Sequence, residues 1–359
     1  MKQLNLGDSA ELLALVSSGK TAPRLPFLPT IYEHAGALLG KTPSLVAQDA
    51  NLIVEGNLLA YELYGSDLIT VGVDIYNIEA EAMGAKMEYF DDCSMPSAQN
   101  GIVTDISQIG DIKMPNIKSD GRMPLIVEAS KRLIEHFSEG NRLRVPVSTA
   151  IVGPFTLASI IFGYEALLMK MLLEPEEFEK IMAFTVNYGH YYGKSLIGEG
   201  ISVSVNESFI APPLLTRELF TDHVLTYEKQ LIDRLLASGA KYVPLVCGGN
   251  TTDISEALAQ TGTSQLMADF STDRLKIKDL CIANNINLRA SINSKTLEDG
   301  NMQKIAEEIT TVINDVFGPR FLFGCGIVSY NTKPENVIAM RHMAEEIYNE
   351  KLKKENKLV

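Results

Sequence analysis

Val145-Pro146-Val147-Ser148-Thr149-Ala150-Ile151-Val152-Gly153-Pro154-Phe155-Thr156-Leu157-Ala158-Ser159-Ile160-Ile161-Phe162-Gly163-Tyr164 contains no charged residue. A stretch like this suits either a membrane span or a strand and helix buried in a protein core. Pro146, the Gly153-Pro154 pair and four Ser/Thr residues favour the second reading: a strand ending at Val152, a tight turn, and a buried helix from Phe155. Val145 to Tyr164 therefore reads as one β-turn-α unit.

Working outward, short apolar runs of the same kind lie at 25–31, 68–73, 146–152, 201–205, 242–246, 265–268, 288–292 and 321–323. Most are apolar throughout rather than alternating, which fits strands covered on both faces of a parallel sheet, although Arg289 interrupts one of them. Helical patterns fill most of the gaps, at 42–64, 125–137, 155–172, 175–197, 216–236, 252–260, 273–284, 302–317 and 333–348. Glu174-Pro175-Glu176-Glu177 places proline at a first helical position and acids in a first turn. Eight βα units predict an α/β fold, a single TIM (β/α)8 barrel. A doubly wound sheet is the alternative, but no glycine-rich dinucleotide fingerprint follows the first strand. The expected organisation is an N-terminal helical extension over 1–24 and a barrel over 25–359. An irregular polar stretch at 102–123 reads as a lid or docking element, part of an insertion near 88–124.

Composition narrows the partners. The net charge of −13 disfavours nucleic acid and anionic membranes. Four cysteines in 359 residues are no disulfide framework and suit a reducing, cytoplasmic setting. The short run at 12–16 follows Asp8 and Glu11 and is no signal-peptide core.

In a barrel the chemistry sits at the carboxyl ends of the strands. Cys247 and Cys325 both fall there. With the strand-end carboxylate of Glu207 they would make a three-ligand zinc site with one open position. The bland reading of each cysteine is a small buried hydrophobe. Glu207 and Asp74 are the catalytic candidates, as carboxylates that must be paired, protonated or metal-bound in such a place. A helix cap is the competing role for Asp74 and Asp269. His34, Tyr76, Asn77, Asp269 and Tyr330 are the expected substrate contacts. The remaining histidines fall within helical patterns.

Several motifs carry a resemblance. Gly153-Pro154-Phe155-Thr156-Leu157-Ala158, Gly163-Tyr164-Glu165, Leu173-Glu174-Pro175-Glu176, Asp74-Ile75-Tyr76-Asn77-Ile78-Glu79-Ala80-Glu81-Ala82-Met83-Gly84 and Lys333-Pro334-Glu335-Asn336-Val337 together resemble the uroporphyrinogen decarboxylase superfamily, from about residue 25 to the C-terminus. The resemblance implies a TIM barrel. True decarboxylases of the superfamily carry an arginine-rich N-terminal segment, whereas residues 21–29 hold only Arg24. Their histidine at the last strand end is Cys325 here, which resembles the corrinoid-dependent methyltransferase branch. That branch implies zinc and a cobalamin carried by a separate corrinoid protein, with a small-molecule methyl donor or acceptor. A homodimer is left open. Thiol-methylating members bind zinc through His-x-Cys and a distant Cys. Cys247 and Cys325 match the cysteines, but Leu245 stands at the histidine position. The segments Tyr32-Glu33-His34-Ala35 and Val71-Gly72-Val73-Asp74-Ile75-Tyr76-Asn77 are closer to the O-demethylase methyltransferases, which take methyl groups from methoxylated aromatics. The expected activity is methyl transfer of that kind, the alternatives being a uroporphyrinogen-type decarboxylase or a methylcobamide:thiol methyltransferase.

Overall fold

The computed structural model describes residues 7–99, 101–138 and 144–355; positions 1–6 of the expected N-terminal extension lie outside them. Seven parallel strands form one sheet: β1 (Ile69–Val71), β2 (Val147–Val152), β3 (Ser202–Glu207), β4 (Pro244–Cys247), β5 (Gln265–Ala268), β6 (Asn287–Ile292) and β7 (Phe321–Cys325). Each strand pairs with the next in chain order, and one or more helices lie between successive strands. The expected β-turn-α unit is present: β2 is buried along its whole length, and the helix Pro154–Phe162 starts at the proline with all nine residues buried. A helix that is apolar all round belongs inside a core.

The eighth expected strand is a correction. Residues 25–31 form no strand; they make two isolated parallel bridges to the β7 side, Phe27 to Phe323 and Thr30 to Ile327. Leu28 N donates to Phe323 O at 2.7 Å, and Asp67 N donates to Phe27 O at 2.8 Å just before β1. Pro26 and Pro29 have no N–H to give, so a continuous ladder cannot form across this segment. Two long helical patterns also divide. The pattern at 42–64 becomes Pro43–Ala47 and Ala50–Tyr64, the second capped by Asp49, whose carboxylate accepts from Asn51 N. The pattern at 155–172 breaks at Gly163, where φ is +88°, and the two halves meet at 109°. Among the described residues no single helix is long and apolar enough to cross a membrane.

Outer helices follow from their spacing. Ile305, Ile309, Val312, Ile313 and Val316 form the buried stripe of Met302–Val316. Burying one such side chain contributes about 1.5–3 kcal/mol. The region 88–124 holds a two-residue antiparallel ladder between Met87–Glu88 and Ser97–Ala98, and a short 3₁₀ helix, Ile106–Asp111.

Asp67 ties the chain's beginning to the sheet. Its buried carboxylate accepts from Ser9 Oγ at 2.6 Å, from Arg24 Nη1 at 2.8 Å and Nη2 at 2.6 Å, and from Phe27 N at 2.9 Å. Removing it strands a largely buried guanidinium and a buried N–H. Asp67→Ala is expected to lower stability by about 3–5 kcal/mol, read as a shifted urea midpoint; a change below about 1 kcal/mol would mean the network is dispensable.

Candidate active site at the mouth of the sheet

A cavity of about 380 Å³ reaches from Leu68, Pro244 and Gln265 at the strands' starts to a mouth at their carboxyl ends. Its lining obeys the two-residue alternation of a strand. Ser204 and Asn206 come from β3, Val246 and Gly248 from β4 and its end, Met267 and Asp269 from β5 and its end. Arg289 of β6 and, from the N-terminal segment, Thr30 and Tyr32 add polar groups, as do Thr70, Ser148, Gln265, Asn293 and Ser294. Tyr76 and Phe270 add aromatic walls.

The expected metal ligands fall on the other parity. Glu207, Cys247 and Cys325 are each one residue out of step with the lining positions of their strands, and none lines the cavity. Cys247 stands beside Glu207 in the β3–β4 register, but β4 and β7 are three strands apart. Leu245 contributes no ligand, and among the described residues no three His, Cys, Asp or Glu side chains gather to hold a metal ion. Burial pushes both thiols up, Cys325 to about 11 and Cys247 well above its usual value. The residues present therefore do not fit the expected zinc site.

Glu207 is fully buried and is engaged at the start of the buried helix. Its carboxylate accepts from Phe155 N and Thr156 N, each at 3.1 Å, and from the Thr156 hydroxyl. Thr156 Oγ1 in turn accepts from Ser208 N at 2.8 Å. A carboxylate reaching across from β3 thus caps a helix whose own cap, Gly153, has no side chain. Buried Glu228 lies against Glu207. Burial and that neighbouring carboxylate hold Glu228 well above the usual range, and burial raises Glu207 too.

Asp74 is likewise not free for catalysis. Arg122 Nη1 and Nη2 donate to its two oxygens at 2.6 and 2.7 Å, Arg122 Nε donates to Glu81 at 2.6 Å, and Asn77 Nδ2 donates to Asp74 at 3.1 Å. This bidentate pair anchors the end of the 88–124 region to the loop after β1. Asn77 also donates to Pro96 O and accepts from Ala98 N, holding the small ladder in place.

Among the expected substrate contacts, Tyr76 and Asp269 line the cavity; His34, Asn77 and Tyr330 do not. His34 is completely buried, with Nδ1 3.0 Å from Ser329 O and Nε2 2.7 Å from Tyr64 Oη. A carbonyl only accepts, so Nδ1 carries the proton and the tyrosine donates to Nε2. Burial lowers this histidine to about 4, and it is neutral. Asp269 is oriented by Gly249 N at 2.9 Å and Phe270 N at 2.8 Å. Tyr32, Asn206 and Arg289 were not singled out as site residues. The readable signal for Arg289 was a lone cation inside an apolar strand. Tyr32 has φ +27°, a conformation that costs of order 1–3 kcal/mol and concentrates at functional sites. Burial raises its hydroxyl to about 12 and raises Tyr76 further, so both remain protonated hydrogen-bond donors.

Two expectations follow. A Cβ at Gly153 would meet Glu207 Oε1 at 2.1 Å. Gly153→Ala is expected to cost about 2–3 kcal/mol through overpacking and a lost cap, measured by urea unfolding. An unchanged midpoint would mean that Glu207 does not hold this helix. The second concerns pH. Buried Glu79 accepts from Val152 N at 2.7 Å, its other oxygen has no partner, and burial raises it to about 8; Glu33 is raised to about 7 by burial. Each native carboxyl keeps a proton that the unfolded chain releases near its ordinary value of about 4.3. Their stabilisation is full below that value and is lost as pH rises to 7 and 8. Neutral His34 acts oppositely, but only below about 6.5. Stability should therefore fall between about pH 6.5 and 8, and Glu79→Gln should flatten the slope. A thermal-melt series rising across that window would contradict this.

Comparison with known proteins gives the family and agrees with the fold. The family model for uroporphyrinogen decarboxylase (URO-D) matches residues 8–347. Methylcobamide:CoM methyltransferase MtbA from Methanosarcina acetivorans is 24% identical over 274 residues, covering 75% of this chain and 77% of that protein. The methylated-thiol--coenzyme M methyltransferase of Methanosarcina mazei is 22% identical over 301 residues, 81% of this chain and 76% of its own. The solved structure of a methyltransferase from Methanosarcina mazei superposes with a TM-score of 0.83 at 19% identity, over 96% of this chain and 100% of that one. A B12-independent methionine synthase from Shewanella sp. W3-18-1 shares the fold more distantly, with a TM-score of 0.55 at 11% identity over 94% and 100% of the two chains. This chain belongs to the uroporphyrinogen decarboxylase (URO-D) family, on the side of its corrinoid-dependent methyltransferases.

Proposed function

We propose that this chain is a methyltransferase that moves a methyl group between a small substrate in the mouth cavity and the cobalamin of a separate corrinoid protein. The observation that carries the reading is the cavity itself. It has the size of a small-molecule site, opens at the carboxyl ends of parallel strands and combines aromatic walls with a few convergent polar groups. The methylcobamide methyltransferase relatives support the partner. On the same reading residues 25–31 close the sheet between β7 and β1 into one barrel, with the 88–124 region as its insertion.

The favoured substrate is a methoxylated aromatic. The partner's reduced corrinoid would supply a nucleophile for the methyl carbon. The carbon–oxygen bond breaks and its electron pair stays on the phenolate oxygen. Tyr32 and Tyr76 offer donors to that oxygen, and Phe270 offers a face to the ring. No step is assigned to zinc. A thiol acceptor, the role printed in the relatives' names, is the second reading. A tetrapyrrole decarboxylase fits less well. Arg24 is engaged by Asp67, and Arg289 is the single arginine among the cavity's lining residues, whereas a polycarboxylate needs several.

Anaerobic absorbance of cob(I)alamin with the protein and methoxybenzoates or methoxyphenols tests this. Methylcobalamin formation is expected. Demethylation of methylcobalamin by thiols alone would move the reaction to the second reading, and no methyl transfer in either direction would reject both.

A further inference from the structure

Among the described residues, the buried arginines are ion-paired, with one exception. Arg122 has Asp74 and Glu81, and Arg341 has Glu345. Arg289 is 6% exposed and makes no ion pair among the described residues. Its Nη2 donates to Thr30 Oγ1 at 2.7 Å and to Cys325 O at 3.0 Å. Its Nε is buried without a partner against Gly324, where a Cβ would come within 2.9 Å of that atom. Nη1 makes no hydrogen bond to the protein and is the part of the guanidinium left to face the cavity that Arg289 lines. Asp269 lines the same cavity and its charge favours the guanidinium, but backbone N–H groups hold its oxygens and it forms no salt bridge with the arginine. A buried cation without a salt-bridge partner is costly unless something neutralises it. The strand keeps this one, and Gly324 leaves the room for it.

We propose that Arg289 is the anchor for an anionic group, a carboxylate or a sulfonate, on the small molecule that occupies the mouth cavity. The proposal rests on the reading of that cavity as the methyl-substrate site, and it narrows the substrate class to small organic anions. The anion neutralises the guanidinium and accepts from Nη1, while the body of the molecule lies against Tyr32, Tyr76 and Phe270.

Calorimetric titration with benzoate, benzenesulfonate and benzamide tests the anchor without any corrinoid. The wild type should bind at least one anion at least about tenfold more tightly than the neutral amide, about 1.4 kcal/mol. Benzoate against benzenesulfonate distinguishes the two anions. Arg289→Met, which fills the space without the charge, should lose that preference while its melting temperature is kept or raised. Arg289→Lys, which keeps the charge without the fork, should retain part of it and guards against a misfolded Met variant. Equal binding of anions and amide, no anion binding up to about 10 mM, or an unchanged preference in a folded Arg289→Met would each overturn the anchor. The methyl reading fails separately. Anion binding lost on Arg289 substitution, with no methyl transfer from methoxyarenes to cob(I)alamin and none from methylcobalamin to thiols, would uphold the anchor and reject methyl transfer. Turnover of neutral methoxyarenes independent of Arg289 would do the reverse.

Discussion

Side chains along a strand point alternately to the two faces of the sheet, and at the mouth this alternation separates residues that are neighbours in sequence. Asn206 faces the cavity, while Glu207 reaches back to the helix behind the sheet. Val246 and Gly248 line the cavity, while Cys247 between them packs beside Glu207. Gly324 faces Arg289, and Cys325 does not line the cavity. Because the period is two, a single step along the chain exchanges catalytic space for structural space. The cavity chemistry and the helix capping are therefore carried by interleaved sets of residues on the same strands.

The buried charges show how the sheet is held to its helices. Asp67 gathers Ser9, Arg24 and Phe27 before β1. Asp74 and Arg122 fasten the loop after β1 to the long polar excursion. Glu207 caps the helix that follows β2, and the glycine at position 153 exists in relation to that carboxylate. In each case a charge that is expensive in isolation is satisfied by main-chain donors or a bidentate partner. These carboxylates act as fasteners, and their demands explain much of the family's Gly-Pro-Phe-Thr and Asp-Ile-Tyr-Asn wording in this chain. Arg289 differs because its remaining donor faces open space rather than a protein acceptor.

The cavity then has a consistent character: apolar and aromatic walls, two protonated tyrosines, a carboxylate held by backbone N–H groups and one guanidinium. Such a site orients a small aromatic or aliphatic anion rather than a large polyanion.

The sequence by itself determined the succession of βα units, the positions of most strands, the charge-free core helix and the family, because these depend on local hydrophobic period and turn chemistry. Of the strand-end residues that it singles out, Tyr76 and Asp269 line the cavity. What it did not determine was which face a strand-end residue takes and what it finds there. The pairing of Asp74 with Arg122 spans 48 residues and that of Glu207 with Thr156 spans 51, distances over which no local pattern carries information. Cys247 and Cys325 read as a metal pair because both end strands, but neither lines the cavity, and no three metal-binding side chains gather among the described residues. Residues 25–31 looked like a full strand by hydrophobicity, and two prolines reduced them to bridges. Only the tertiary structure decided these points, because parity, sheet order and the pairing of buried charges arise when distant segments pack and each buried polar group must find a partner.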